Sequence, residues 1–559
     1  MPPEPAPKVL VITGGLLTEK DTSLWQALKK QILQARYTSG DWLENKIKLL
    51  AAEPVIAAKL EQRIGSAFTH LPHDLKKRIF DTPHFSDIPE LTEVALITGL
   101  AQEGMEYETT TIHHLFADSA SANRLLARCE CVFVSSTLLR DVSELRPLLK
   151  HIKRSHNRIV VGGALVGLIH HNWPDIEEVD MLAIGYGEML IPSLAAWISS
   201  GYKTLVPPHR GRVTKRGNTL LLFSGVPQNR TLDFLPRPEW ERIKLAGNRT
   251  PELIYYESVR GCPYRCGFCN YPYLFDDTHF RYKSAEKMVD EWAYYANELG
   301  VKYISCLDAL FTIPKQRLLR FCQLLMERNV DIKWICYARA DDLTDEKTLQ
   351  LMKQAGLHQV QIGIESGNQN QLDNMNKACS VEANALALKN CRKHNVTTIV
   401  SLIVGYPGET RQSLDETYHF LKTSPPDFYY LAAFSTRAEN VPVLKKKSRQ
   451  KFGLHVAQKS YTTAPYWYHA SMDCIEASNH IRNLNHRLMK ERISLNAVLF
   501  YQGLMNFRNE DREALLNLQQ NIAHKHPVNR AIFSLLHRIF DKKLSADMNI
   551  RLKHSSHEN

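Results

Sequence analysis

The chain has 559 residues, enough for about three or four domains with substantial cores. With 44% hydrophobic and 23% charged residues, its composition is that of an ordinary globular protein. The net charge of +11 is spread along the chain without a long basic arm, so the sequence predicts no nucleic-acid partner. Eleven cysteines, an odd number, argue against a secreted disulfide framework, and no apolar run reaches membrane-spanning length. We therefore expect a cytoplasmic protein that does not enter the membrane.

Short apolar strands alternate with helices over residues 1–200. The strands end in small residues and cover 8–13, 106–112, 131–136, 158–163 and 181–188. This alternation predicts a doubly wound, Rossmann-like α/β domain with a ligand crevice at the carboxyl ends of its strands. Residues from about 20 to 90 carry apolar side chains at helical spacing among Lys, Glu and Gln, which predicts a helical insertion after the first strand.

Residues 201–250 are rich in Pro, Arg and Gly and predict an extended linker between two domains. Strands and helices alternate again over residues 251–437, in about six strand–helix units, which predicts a partial (β/α)6 barrel. From 438 to 559 the pattern is mainly helical. The aromatic segment 466–472 in this region fits either a packed core or a substrate lid over the barrel mouth, and His469 is its candidate substrate contact.

Three cysteines, Cys262, Cys266 and Cys269, follow the first strand of the predicted barrel in a C-x3-C-x2-C spacing. A [4Fe–4S] cluster normally takes four thiolates, so three thiolates in one short loop would leave one iron open for a ligand. The alternative is a zinc site, which needs four ligands. The nearest fourth ligand is His279, and no second ligand pair is present. The spacing therefore favours an iron–sulfur cluster.

Polar residues follow the next strands of the predicted barrel, at the ends where ligands are expected. Asp308 follows the second strand and Arg339 the third, while Glu365 and Ser366 follow the fourth. Each residue alone would fit a solvated strand end. Their order after the cysteine loop predicts that they share one ligand site.

The cysteine spacing, with Phe268 before the third cysteine, resembles the signature of the radical S-adenosylmethionine (SAM) enzymes. This resemblance implies that the open iron binds SAM, that Phe268 packs beside it, and that residues 306–308 bind its amino group. It also implies that Glu365 or Ser366 contacts the methionyl part or the ribose. A glycine-rich stretch on the fifth strand would back the adenine, and here that stretch contains Ser401, Gly405 and Gly408.

Residues 1–200 resemble the cobalamin-binding domain that precedes the radical SAM domain in one large subfamily, and segments 160–163 and 185–188 carry the likeness. The resemblance implies contacts with a flat corrin ring from Gly162, Gly163, Gly185, Tyr186, Gly187 and Glu188. It implies contacts with the amide edge of that ring from Ser135, Ser136 and Thr137. The Asp-x-His-x-x-Gly loop that supplies a cobalt ligand elsewhere has no counterpart at residues 13–17. Either cobalamin binds without a histidine ligand or the domain has lost the cofactor.

Together these resemblances imply a class B radical SAM methyltransferase-like enzyme that uses a [4Fe–4S] cluster, SAM and cobalamin. Such an enzyme cleaves SAM reductively and methylates an unactivated carbon or phosphorus of a small metabolite. One alternative with the same architecture is a radical cyclase or rearrangement enzyme, with or without cobalamin. Another is a non-catalytic cobalamin or redox sensor. The implied partners are a small-molecule substrate and an electron donor such as flavodoxin or ferredoxin.

Overall fold

A computed structural model of the protein describes residues 9–15, 42–64, 67–81, 88–139, 141–243, 245, 250–436, 440–457, 466–524 and 527–555. Part of the predicted helical insertion, residues 16–41, 65–66 and 82–87, lies outside the described residues. The described part of the insertion contains a long helix α1 (Trp42–Ile64) and a short helix α2 (His73–Lys76).

The first sheet has seven strands in the order β2-β1-β3-β4-β5-β7-β6, and all neighbours are parallel except β6 and β7. The strands are β1 (Val9–Thr13), β2 (Tyr107–Thr111), β3 (Cys131–Ser135), β4 (Arg158–Gly162), β5 (Met181–Ile184), β6 (Arg212–Arg216) and β7 (Thr219–Phe223). Successive side chains of β1 alternate between the two faces: Val9 and Val11 join one buried cluster, and Leu10 and Ile12 join another.

Helices cover both faces of this sheet. They are α3 (Leu91–Gln102), α4 (Ile112–Ala117), α5 (Ser119–Arg128), α6 (Val142–Ile152), α7 (Ala164–Ile169) and α8 (Gly187–Ser199). Side chains of α3 and α8 pack into the cluster that contains Val9, whereas side chains of α4 to α7 pack into the cluster that contains Leu10. The predicted doubly wound fold is confirmed.

The last two strands of the first sheet come from the segment 201–250, which the sequence predicts to be an extended linker. Strand β7 is buried at Thr219, Leu221, Leu222 and Phe223 and pairs with β5 in parallel, so it continues the sheet. Gly217, with φ +56°, allows the tight turn from β6 into β7. The surrounding Pro, Arg and Gly residues hide this short apolar run in the composition, which is why the hairpin is not apparent from the sequence.

The second sheet contains six parallel strands in the order β15-β14-β13-β12-β11-β8, as predicted for the partial barrel. These strands and the short antiparallel pair β9–β10 are β8 (Leu253–Tyr256), β9 (Val259–Arg260), β10 (Arg281–Tyr282), β11 (Tyr303–Cys306), β12 (Lys333–Ala338), β13 (Leu357–Glu365), β14 (Thr397–Val404) and β15 (Phe428–Ala433). The helices between them are α9 (Ala285–Asn297), α10 (Lys315–Glu327), α11 (Glu346–Gln354), α12 (Gln369–Asn374), α13 (Val381–Lys393) and α14 (Arg411–Thr423).

The C-terminal region packs against the β15 side of this sheet. It contains α15 (Lys446–Phe452), β16 (His455–Ala457), β17 (Tyr466–His469), β18 (Met472–Asp473), α16 (Cys474–Lys490), β19 (Leu495–Asn496), α17 (Arg512–His524) and α18 (Pro527–Ser555). Strand β19 pairs with β15 and adds a seventh parallel strand. Among the helices described, none is long and apolar enough to cross a membrane.

Helix α1 belongs by sequence to the first domain but packs on the C-terminal helices. The Trp42 ring meets the Phe540 ring edge-on at 5.7 Å. The Arg482 guanidinium donates two hydrogen bonds, of 2.9 and 2.8 Å, to the Glu53 carboxylate. The described part of the insertion is therefore helical, as predicted, and it joins the two ends of the chain.

Candidate active site

The cysteine loop leaves strand β9 and is held by contacts to the barrel and the C-terminal region. The Gly267 N–H donates to the Met375 carbonyl (2.7 Å), and the Val443 N–H donates to the Gly267 carbonyl (3.0 Å). A Cβ on Gly267 would lie 2.2 Å from the Tyr406 hydroxyl oxygen, so this position requires glycine. These contacts fix the loop between its second and third cysteines.

The three cysteines of the loop are free thiols; Cys266 is buried, while Cys262 and Cys269 are half-buried. Burial raises the pKa of the Cys262 thiol and raises that of Cys269 to about 11. A bound metal centre would have to offset the free energy of deprotonating these thiols, because metals bind the thiolate form. In the described part of the chain, no three His, Cys, Asp or Glu side chains form a group that could hold a metal ion.

Two of the residues predicted at the strand ends, Arg339 and Glu365, lie beside this loop. The Arg339 guanidinium lies 4.0 Å from the centre of the Tyr264 ring and donates to the carbonyls of Lys377 (2.6 Å) and Ala378 (2.8 Å). Glu365 forms a buried ion pair of 3.0 Å with Lys377. Glu365 has φ +65°, an uncommon backbone conformation for a non-glycine residue that often occurs at functional sites.

Lys377 is a site residue that the sequence analysis missed. Its ammonium group is buried and close enough to Cys266 and Cys269 that their charges act on one another. It lies in the turn after α12, where no motif distinguishes it from an ordinary surface lysine. Only the folded chain brings this cation to the cysteine loop.

Asp308 and Ser366 are fully buried and bond to the protein, and the ligand contacts that the resemblance implies for residues 306–308 and for Glu365 or Ser366 stay predictions. The fully buried Asp308 carboxylate accepts hydrogen bonds from the N–H groups of Ser258 (2.6 Å) and Val259 (2.8 Å). Burial raises the Asp308 pKa to about 6. The Ser366 hydroxyl is fully buried and lies 3.2 Å from that of Thr417. Both residues brace strand ends because their polar atoms are engaged with the protein.

The glycine-rich stretch begins on β14 and ends in the turn after it, and it packs against protein at both of its glycines, Gly405 and Gly408. Gly405 has φ +86°, and a Cβ there would lie 2.6 Å from both Ala477 and the Trp467 ring. Gly408 has φ +95°, and a Cβ there would lie 2.6 Å from the Asn374 amide nitrogen. Ser401 is half-buried on the same strand. The adenine contact implied by the resemblance stays a prediction.

The aromatic segment 466–469 belongs to the core and does not form an exposed lid. Tyr466 and Trp467 are fully buried in β17, and the His469 ring stacks on Trp467 at 5.5 Å. His469 is 5% exposed, so it is not open to a substrate. Phe268 meets the Tyr406 ring edge-on at 6.4 Å. The core alternative therefore applies to this segment.

A cavity of about 330 Å³ lies at the carboxyl ends of β3, β4 and β5. Seven of the nine residues predicted to contact a corrin line this cavity: Ser135, Thr137, Gly162, Gly163, Gly185, Gly187 and Glu188. The lining also includes Arg260 from β9, Glu257 from the loop after β8 and Leu307 from the loop after β11. The cavity thus adjoins the strand that leads into the cysteine loop.

The lining of this cavity fits a flat, largely apolar group with polar edges. Leu91, Ala95, Leu96 and Phe133 are among the apolar side chains of the wall. A Cβ on Gly187 would meet no atom within 4 Å, so the backbone there is open to the cavity. Among the described lining residues there is no histidine. Within the described lining, a corrin would therefore meet apolar walls, exposed backbone and hydroxyl groups, and no imidazole.

The remaining two predicted corrin contacts have structural roles. The Ser136 hydroxyl is buried and donates to the Gly162 carbonyl (2.6 Å), which ties β3 to β4. The Tyr186 hydroxyl donates to Asp277 (3.0 Å), and its ring is fully buried. These side chains do not line the cavity because they are used to join strands and domains.

Glu188 lines the cavity and also forms the main charged contact between the two sheets. The Arg260 guanidinium donates to Glu188 over 3.0 and 2.6 Å and to Glu257 over 3.0 and 2.7 Å. Arg260 is 5% exposed and lies two residues before Cys262. Burial alone would raise the Glu188 pKa, but the Arg260 charge holds it below its usual value. The Glu188–Arg260 ion pair therefore joins the first domain to β9, the strand that leads into the cysteine loop.

Parts of the chain are similar in sequence to known proteins. Residues 256–421 match the model of the Radical SAM superfamily. The chain is 31% identical over 199 residues to an anaerobic magnesium-protoporphyrin IX monomethyl ester cyclase of Rubrivivax gelatinosus, covering 35% of each protein. It is 27% identical to an uncharacterized methyltransferase of Pyrococcus horikoshii, over 45% of this chain and 54% of the relative. The chain thus spans about a third to a half of the length of these curated relatives.

Two solved structures share the fold over most of the chain. One is the radical S-adenosylmethionine methyltransferase TsrM from Kitasatospora setae with cobalamin and a [4Fe–4S] cluster bound. Its TM-score is 0.54 at 16% identity, and the match covers 73% of this chain and 87% of TsrM. The other is the cobalamin-dependent S-adenosylmethionine radical enzyme OxsB with aqua-cobalamin bound. Its TM-score is 0.55 at 16% identity, and the match covers 88% of this chain and 80% of OxsB.

Proposed function

We propose that this protein, which contains a radical SAM domain at residues 256–421, uses a [4Fe–4S] cluster, SAM and cobalamin to methylate an unactivated carbon or phosphorus of a small metabolite. The observation that carries the proposal is that the glycine-lined cavity and the cysteine loop adjoin each other. Arg260 lines the cavity and precedes the loop by two residues. A corrin in the cavity and SAM at the loop would then share one reaction space.

Different residues of the chain would bind the different cofactors. Cys262, Cys266 and Cys269 would hold three irons, and the walls of the cavity would hold the corrin. When bound, these cofactors supply reductive SAM cleavage and methyl transfer, while the protein binds, orients and excludes water. The Glu365–Lys377 pair and Arg339 place fixed charges beside the loop, where the methionyl end of SAM would need charged partners. The apolar walls of the cavity keep bulk water from the reaction space.

A cyclisation or rearrangement is the second candidate reaction. The 31% identity to a magnesium-protoporphyrin monomethyl ester cyclase over 199 residues favours it. The same binding residues would serve both reactions, because only the substrate and the fate of its radical differ. In either case we propose a small-molecule substrate, an electron donor such as flavodoxin or ferredoxin, and a cytoplasmic location.

The first test is SAM cleavage by the anaerobically reconstituted full-length chain. With dithionite or reduced flavodoxin, we expect 5′-deoxyadenosine or S-adenosylhomocysteine to form, and we expect neither product from a variant in which the three loop cysteines are alanine. A reconstituted protein that holds a cluster but never cleaves SAM would refute the enzymatic proposal and would favour a sensor.

The second test concerns cobalamin. Gly187→Leu should abolish corrinoid binding without loss of iron, because the new side chain would project into the open part of the cavity. Paramagnetic resonance of the bound cobalt(II) form should show no nitrogen splitting from a protein ligand. Protein-derived nitrogen splitting would contradict the histidine-free cavity. Failure of wild-type protein to retain any corrinoid would remove cobalamin from the proposal.

A further inference from the structure

A second cavity, of about 590 Å³, lies in the helical layer formed by α1, α16, α17 and α18. A smaller cavity of about 350 Å³ adjoins it at α14 and shares His480, Asn483 and Arg487 with it. None of the residues that line these two cavities also lines the cavity between the sheets. The combined volume is in the range of sites that bind small organic ligands.

The lining of these two cavities is strongly basic. It includes four arginines and two histidines: Arg411, Arg482, Arg487, Arg530, His480 and His486. The only carboxylates in the described lining are Glu53 and Asp415. Arg482 pairs with Glu53 (2.8 Å), and Arg487 pairs with Asp415 (3.0 Å).

Two arginines keep an uncompensated charge. Within the described residues, no carboxylate pairs with Arg411 or Arg530. The charge of Arg411 reaches His480 in the shared wall: burial first, and then this charge, lowers the pKa of His480, whereas the charges of Glu476 and Asp415 act to raise it. The two cavities therefore carry a net charge of about +2 on their arginines and carboxylates, since four arginines face two carboxylates.

One wall of the larger cavity is apolar. It is formed by Leu50, Pro54, Ala57, Met489 and Ile522. An inorganic ion alone would leave this wall in contact with water. A ligand with an organic body and an anionic group would cover the apolar wall and also neutralise the arginines. Arginine forms charged, paired hydrogen bonds with oxyanions, and a phosphate monoester carries close to the two negative charges that the site lacks.

We propose that these two adjoining cavities together bind a small organic molecule that carries a phosphate monoester, with Arg530, Arg411 and His480 as its anion-binding side chains. These side chains come from three helices, α14, α16 and α18, and His480 lines both cavities. This site is independent of the proposed reaction, because it shares no lining residue with the cavity between the sheets.

The test is calorimetric titration of the full-length protein with inorganic phosphate, phenyl phosphate and succinate at constant ionic strength. We expect saturable binding of phenyl phosphate to one site, tighter than that of inorganic phosphate and of succinate. Arg530→Gln should weaken phenyl phosphate binding about tenfold or more, the usual effect of removing a charged hydrogen bond. Arg538→Gln is the matched control, because it removes the same charge from the same helix at a position outside the cavity.

If Arg530→Gln and Arg538→Gln weaken phenyl phosphate binding equally, the proposal is overturned, because the effect would then come from the overall charge of the protein. Saturable succinate binding that equals phenyl phosphate binding would overturn the phosphate assignment. Absence of saturable binding by all three probes would overturn the site. His480→Gln provides a second variant: weakened phenyl phosphate binding with an unchanged melting temperature supports the proposal, and unchanged binding contradicts it.

Discussion

The geometry of the Glu188–Arg260 ion pair between the two domains predicts how much stability the substitution Glu188→Gln removes. Glu188→Gln keeps the shape of the side chain but removes its charge and one of the two oxygens that accept hydrogen bonds from Arg260. Removing one partner of a buried ion pair costs about 3–5 kcal/mol when the other charge is left unpaired. Here Arg260 keeps two hydrogen bonds to Glu257. We therefore expect a loss near that of a single charged hydrogen bond, about 2–3 kcal/mol.

The loss should appear as local opening of the strand before the cysteine loop. A chain with several domains does not unfold in one step, so a global free energy of unfolding is not suitable. Hydrogen exchange of the Ser258 and Val259 amides, which donate to Asp308, measures this local opening. A loss of 2–3 kcal/mol corresponds to about 30-fold to 150-fold faster exchange.

Glu241→Gln is the matched control for this prediction. Arg237 donates to Glu241 in the same paired manner, over 3.1 and 2.7 Å, but this pair is about a third exposed. Exposed ion pairs contribute about 0–1 kcal/mol, so the control should change exchange by a few-fold at most. If Glu188→Gln accelerates exchange no more than Glu241→Gln does, the contact between the domains does not hold the loop.

Three further predictions concern the cysteine loop and the turn after β14. Replacing all three loop cysteines with alanine should abolish iron content and charge-transfer absorption, and stoichiometric zinc in anaerobically prepared wild type would contradict the assignment. Gly408→Val should weaken SAM binding about tenfold or more without loss of iron, because φ there is +95° and a Cβ would lie 2.6 Å from the Asn374 amide nitrogen, so the turn that the resemblance places beside SAM would have to shift. Gly453→Val is the control: its φ is also positive, at +59°, but a Cβ there meets no atom closer than 3.7 Å, so SAM affinity should be unchanged. Burial raises the Glu409 pKa to about 8, so the folded state favours the protonated acid, and wild type should lose stability relative to Glu409→Gln as the pH rises from about 4.5 to about 8. Hydrogen exchange of the Gly405 amide, which donates to Glu409, measures this loss locally, and equal protection of that amide in the two proteins across this pH range would contradict the raised Glu409 pKa.

Local patterns in the sequence predicted the fold class and the position of the cysteine loop. The apolar strands, the spacing of the three cysteines and the glycines at strand ends are all properties of short segments, so one sequence is enough to read them. Gly162, Gly163, Gly185 and Gly187, which the sequence predicts to contact a corrin, line the cavity between the sheets, and all four lie at or next to the end of a strand or the start of a helix.

The contacts between distant segments could not be predicted. Arg260 and Glu188 are 72 positions apart, and each alone looks like an ordinary charged residue. Asp308 has the residue type of a ligand, but its carboxylate accepts from two backbone N–H groups beneath the loop. Lys377 carries no motif at all. Such roles depend on which elements meet in three dimensions, and hydrophobic periodicity does not specify that.

The packing of α1 on α18 delays the folding of α1 during synthesis on the ribosome. The His537 ring nitrogen lies 3.1 Å from the Glu53 carboxylate, and 484 positions separate the two residues. At a translation rate of about 5–20 residues per second, α1 emerges roughly 25–100 seconds before its partner helix is made. During that interval the apolar side chains of Leu43 and Leu50, which the finished protein buries, have no α18 to cover them. A nascent chain halted before α18 should therefore expose the apolar face of α1, and we expect a chaperone to bind that helix.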